Sequence, residues 1–493
     1  MGKPPGPLSG PLCKEGGSDM AFSTLIFLFA FLPVSLILYH IMPARTPKNA
    51  ILLVLSLVFY AWGAPEYFVI LLFSVLFNYC AGLYIANSPD GESRHGTARK
   101  NGGLVFAVVV NVALLCFFKY WTGFLGLLNS VLPTPLPVRE LPLPIGLSFY
   151  TFSVLSYLFD VYRKKCPVQR NLMNFALYVT FFPKVISGPI VSYTDIAEQL
   201  QSHRVDRELF GEGVILFLTG LGKKLLLADG LSAAFYAMQA LPGDSISVAT
   251  AWLASIFYSL MLYFDFSGYS DMAIGLGKMF GFNMAKNFDY PYISASITEF
   301  WRRWHISLGS WFRDYVYFPL GGSRVTTGKV LRNLLIVWLL TGIWHGSTLT
   351  FVFWGLIHGF AQILEKYPLK GLLEKTPKFL RWLGTMLLVN VAWVFFSAPT
   401  VGDAFLWVGR MVGIGAAGLV DATAKYYFAG NALLLLFALI ACAPTAKNMA
   451  LRLVTGPGKA RKIVVVVFYA ALLCLCIAAM MNATYSTFLY FQF

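Results

Sequence analysis

Of the six histidines in this chain, His305, His345 and His358 lie on apolar or aromatic backgrounds, where an ionisable group needs a reason to be. His345 sits in Leu-Leu-Thr-Gly-Ile-Trp-His-Gly-Ser (339–347), between Gly342 and Gly346, whose four-residue spacing lets helix backbones approach closely. An ionisable residue inside an apolar segment is expensive to bury and marks a functional candidate. Imidazole, with an unperturbed pKa of about 6.5, suits proton transfer near neutral pH. The competing reading is a hydrogen-bonded structural histidine, and His358, in Gly-Leu-Ile-His-Gly-Phe on a similar apolar background, competes with His345 for the functional one. His40, His95 and His203 fall at segment ends or in polar loops and read as solvated.

His305 belongs to a stretch, Phe-Trp-Arg-Arg-Trp-His-Ile-Ser-Leu-Gly-Ser-Trp-Phe-Arg-Asp-Tyr (300–315), that interleaves charge with aromatic residues. Polar groups at membrane depth are tolerated only where protein or a water-filled cavity receives them. The stretch predicts an amphipathic or re-entrant helix near the cytoplasmic surface, with an interfacial helix as the alternative.

The elements that must position these residues are membrane helices. The chain is 57% hydrophobic and 12% charged, whereas soluble domains carry about 25% charged residues. A soluble protein of 493 residues could not hide so much apolar surface. Apolar segments recur at 21–42, 49–63, 66–86, 103–131, 144–162, 172–191, 210–227, 247–264, 330–344, 348–364, 380–397, 427–443 and 462–482. Since a span needs about 20 apolar residues and some segments are shorter, about 11 true spans are expected.

Charge orients them. Arg45 and Lys48, then Arg94, Arg99 and Lys100, then Arg163, Lys164, Lys165 and Arg170 fall in alternate loops, which the positive-inside rule places in the cytoplasm. The loop from Pro133 to Pro144 is then outside. The same rule accounts for the net charge of +15 without nucleic acid. The seven cysteines show no metal-ligand spacing, so no metal is expected. Met1 to Asp19 reads as a disordered extension, and 20–493 as a single transmembrane domain without internal repeats.

Taken together, Trp301-Arg302-Arg303-Trp304-His305 and Trp344-His345-Gly346 resemble the membrane-bound O-acyltransferase (MBOAT) family, in its bacterial branch typified by the alginate O-acetylation membrane subunit. Pro144-Ile-Gly-Leu-Ser-Phe-Tyr-Thr-Phe152, Phe182-Pro183-Lys184, Gly188-Pro189 and Asp265-Phe-Ser-Gly-Tyr-Ser-Asp271 extend the resemblance along the chain. It implies an all-α bundle around a funnel open to the outside, with a narrow passage to the cytoplasm. By the same resemblance His345 and His305 are catalytic. The ending Phe488-Leu-Tyr-Phe-Gln-Phe493 is similar to a family Phe-x-Tyr-Phe-x-Phe signature, which makes Tyr490 a candidate covalent relay; an aromatic interfacial belt is the alternative.

The activity so implied is transfer of acetyl from cytoplasmic acetyl-CoA across a bacterial inner membrane, by way of a periplasmic or extracellular SGNH-type acetyltransferase partner, to an exported polysaccharide or cell-wall glycan. Arg302, Arg303, Arg313 and Trp304 are the expected donor-binding residues, and acetyl-CoA is a substrate with no bound cofactor. D-alanyl transfer from a carrier protein is the nearest alternative, and a transporter or flippase the alternative from another class.

Overall fold

The computed structural model describes residues 21–89, 94–138, 141–202, 205–445, 448 and 459–482. It is built from helices, and no strand occurs among the described residues. Two compact units can be distinguished, one of residues 21–217 with 270–285, the other of 218–269 with 286–482.

The first unit contains α1 (Leu32–Ile41), α2 (Arg45–Gly63), α3 (Phe68–Asn87), α4 (Arg94–Asn129), α5 (Leu147–Tyr162) and α6 (Leu172–Thr180). α5 is buried on every face, its partly exposed residues being Phe159 and Tyr162. It starts at Gly146, whose φ of +77° and close approach to the Val185 carbonyl leave no room for a side chain. Between α3 and α4, Asn78 and Asn111 exchange amide hydrogen bonds of 3.0 and 2.7 Å. Each partner spares the other an unsatisfied amide where water is scarce.

The second unit holds the π-helical turn Lys223–Ala228, the helix Asp229–Gln239 and most of α7 (Val248–Met279), whose C-terminal end belongs to the first. It continues through α8 (Ile297–Arg303), α9 (Ile306–Phe312), α10 (Thr327–His345), α11 (Leu349–Lys366) and α12 (Lys378–Ser397). α13 (Ala422–Gly430), α14 (Ala432–Ala441) and α15 (Lys459–Asn482) complete it. Asp265 of the acidic motif on α7 is buried, and with Asp229 it neutralises buried Lys224, each at 2.8 Å.

Five helices among the described residues are long and apolar enough to cross a membrane: α3 with its leading turn, α4, α7, α12 and α15; the pair α13 and α14, bent by 63°, would make six. α4 and α15 have only 11% and 6% of their spanning stretches buried despite their apolarity, as a lipid solvent allows. Other expected segments fold differently. The apolar run 172–191 breaks at Phe181, ahead of Pro183, into α6 and the short helix Phe182–Val185. Apolar composition alone does not distinguish a span from a buried half-helix.

Candidate active site

His305 is positioned by pairing of the non-helical segment 287–289 with the junction between α8 and α9. Asp289 N–H donates to the Arg303 carbonyl and Ile306 N–H to the Asn287 carbonyl, both at 2.9 Å. These bonds hold His305 at φ +43°, a left-handed conformation that costs a non-glycine residue about 1–3 kcal/mol and persists only where its surroundings impose it. Ser296 caps the start of α8 by accepting from Glu299 N–H at 2.9 Å. Glu365 of α11 clamps the same turn, accepting from the backbone of Ile297 and of Thr298 and from the Thr298 hydroxyl. The stretch 300–315 is thus two seven-residue helices broken at His305, followed by a π-helical turn from Arg313, and not one helix.

His345 ends α10, which packs tightly against α11. A Cβ on Gly342 would meet the Phe351 carbonyl oxygen at 2.5 Å, and one on Gly355 the Trp338 carbonyl oxygen at 2.5 Å. The close-packing partners are therefore Gly342 and Gly355 across the hairpin. Gly346 lies past the helix end in extended backbone, under the Phe351 ring. The expected pairing of Gly342 with Gly346 on one helix face gives way because α10 stops at His345.

Aromatic rings then connect the histidines. His345 meets Trp344 and Trp354, each with ring centroids at 4.8 Å, and Phe396 at 5.3 Å. Trp344 also lies 6.4 Å from the His305 ring, so one indole touches both expected catalytic residues. Trp354 continues the series to His358 at 5.3 Å, where Trp301 and Trp338 close around that ring. All three histidines are buried. His305 lies outside the helices of spanning length, and burial pushes its imidazole well below the ordinary value, keeping it neutral.

The expected donor-binding residues divide. Arg302 is exposed and pairs with no carboxylate among the described residues. Arg303 is committed to Glu299 at 3.0 Å and to the Asp289 carbonyl at 3.1 Å. Arg313 is paired with Asp314 at 2.8 Å, a hydrogen bond that raises the guanidinium above its ordinary value. Trp304 is buried against Phe288, Phe300 and Trp393, which gives it a packing role. Tyr490 lies outside the described residues. No group of His, Cys, Asp and Glu among the described residues could hold a metal.

Sequence reasoning passed over Asn287, Ser307, Glu365 and Trp354. Asn287 and Glu365 act on residues 18 and 68 positions away, and no local pattern announces such pairs.

These features define a multi-pass helical membrane protein with a buried, histidine-centred site. The membrane-bound O-acyltransferase family model matches residues 95–402. The probable alginate O-acetylase AlgI of Azotobacter vinelandii is 42% identical over 408 residues, 82% of this chain and 80% of that protein. A peptidoglycan O-acetyltransferase of Helicobacter pylori is 36% identical over 81% of both chains. A teichoic acid D-alanyltransferase of Bacillus subtilis is 30% identical over 58% of this chain and 72% of its own. The chain belongs to the membrane-bound O-acyltransferase family and to its AlgI-like branch. It is an acyltransferase, which removes the transporter reading.

Proposed function

We propose that the protein takes acetyl from acetyl-CoA at the cytoplasmic face of a bacterial inner membrane and passes it outward for O-acetylation of an exported polysaccharide or cell-wall glycan. The observation that carries this reading is the buried pair His305 and His345 sharing Trp344, in a chain whose O-acetylating relatives are named for alginate and peptidoglycan. Arg302, exposed and paired with no carboxylate among the described residues, suits the donor's phosphates. Arg303 and Arg313 contribute less, since each already serves a carboxylate.

A phenol, with pKa about 10, is a poor nucleophile until a base takes its proton. In the proposed step the Tyr490 oxygen attacks the thioester carbonyl while His345 removes the phenolic proton. Collapse of the adduct breaks the C–S bond, and the thiolate recovers that proton from His345. The products are coenzyme A and an acetylated Tyr490, from which an SGNH-type partner outside the membrane takes the acetyl group. His305 positions the donor or stabilises the developing oxyanion. The division is physically sensible: a charged coenzyme cannot cross lipid, whereas an acetyl group needs only a narrow passage.

D-alanyl transfer from a carrier protein is the second reading, favoured by the B. subtilis relative. The lower identity and coverage of that match weigh against it.

The test is mass spectrometry of glycans from cells expressing variants. His345→Ala is expected to lower O-acetylation about 10²–10⁴-fold, the usual contribution of a general base; full acetylation would end its assignment. Tyr490→Phe keeps an aromatic belt and removes the nucleophile, so retained acetylation would remove the relay. Ester-linked alanine in place of acetate would select the second reading.

A further inference from the structure

We propose that Asn287 is a positioning residue for acyl transfer, which locks neutral His305 in the tautomer that keeps its proton on Nδ1 and leaves the lone pair on Nε2. The argument starts from a donor of fixed character. Ser307 N–H can only donate, and it reaches Asn287 Oδ1 at 3.2 Å. That atom is therefore the amide oxygen, which also settles the side-chain flip. The Ser307 hydroxyl donates to the same oxygen at 2.9 Å.

His305 Nδ1 lies 3.1 Å from this oxygen. An amide oxygen offers only lone pairs, so the contact is attractive only when Nδ1 carries a hydrogen. A neutral imidazole has one N–H, and Nε2 is left as an acceptor. Asn287 is itself immobilised, being fully buried and accepting from Ile306 N–H through its backbone carbonyl. Its two carbonyl groups thus grip the chain on the far side of His305 and the ring of His305, which over-determines the positive φ there. The rings of Phe266, Phe288 and Trp344 that pack on His305 bring no charge to favour a second proton.

This deepens the proposed function, and it rests on that reading for the link to transfer. A neutral His305 with its N–H committed to Asn287 cannot donate to an oxyanion through Nε2. It can accept a hydrogen bond there from a hydroxyl or an amide N–H of the substrate. Of the two roles left open for His305, this tautomer is compatible with positioning by acceptance.

The tautomer is read directly by ¹⁵N spectroscopy of the full-length protein labelled at histidine, with His305 assigned by difference against His305→Ala. The expected result is a protonated-type Nδ1 and an unprotonated-type Nε2 for His305 at neutral pH. The reverse pattern, or an imidazolium, would overturn the proposal. Asn287→Leu keeps the side-chain shape and removes the acceptor. It is expected to lower kcat for acyl transfer about tenfold or more, as loss of an orienting partner does, with little change in KM for acetyl-CoA. An unchanged kcat would overturn the positioning role. If His305→Ala keeps full transfer, the reading that puts His305 in the site fails, while the wild-type spectrum still decides the tautomer. If His305→Ala is inactive and Nε2 proves protonated, the inference alone fails.

Discussion

Single residues here are held by partners far along the chain. His345 shares its ring contacts among three other aromatic residues, and His305 owes its orientation to Asn287. Asp421 works in the same way at a helix start. Its carboxylate caps α13 by accepting from Ala424 N–H, and it also accepts from the Thr250 hydroxyl at 2.8 Å and Ser247 N–H at 3.2 Å. Burial opposes its ionisation, but these donors hold the carboxyl below the usual carboxylate range. A folded value below the unfolded one means stabilisation that is complete above the unfolded pKa and lost as pH falls through the folded one. Asp421→Ala is therefore expected to cost about 1 kcal/mol at pH 7, the usual value of an N-cap. Thermal unfolding in detergent should show that difference shrink in acid.

At the scale of elements, the hairpin of α10 and α11 carries the site. Its helices are close because glycines face backbone across the contact, and Trp354, one residue before Gly355, packs on His345. Gly355→Leu would drive a side chain into the Trp338 carbonyl and separate the helices. Overpacking of this kind costs about 1–3 kcal/mol, and acyl transfer should fall with it because His345 loses its Trp354 contact. Gly384 of α12 is the control, since a Cβ there meets nothing within 4 Å. Gly384→Ala should leave the unfolding temperature equal or slightly higher. Equal destabilisation by both would remove the close-packing argument. The glycines were legible in the sequence, but their partners were not. Gly346 looked like the mate of Gly342 on spacing alone, until α10 ended one residue before it.

For the whole molecule, the charged loops predict which side each connection faces. Thr134 stands exposed in the Pro-rich loop, and Lys165 stands exposed in the basic loop after α5. In a background lacking native cysteines, Thr134→Cys should react with an impermeant maleimide on intact inner-membrane spheroplasts. Lys165→Cys should react only after the membrane is opened. The opposite pattern would invert the orientation and place the donor side of the proposed reaction on the wrong face.

By itself the sequence determined that this is an all-helical membrane protein of the O-acyltransferase family. Apolar content, loop charge and the Trp-His elements are local properties, and each can be read without knowing what it touches. It also singled out His305 and His345. Tertiary structure decided the rest: that Trp344 bridges the two histidines, that Arg303 and Arg313 are already paired with carboxylates, and that Asn287 and Glu365 hold the His305 element in place. These depend on contacts between residues tens of positions apart. A side chain's charge, tautomer and freedom are set by such neighbours, and the chain order alone does not contain them.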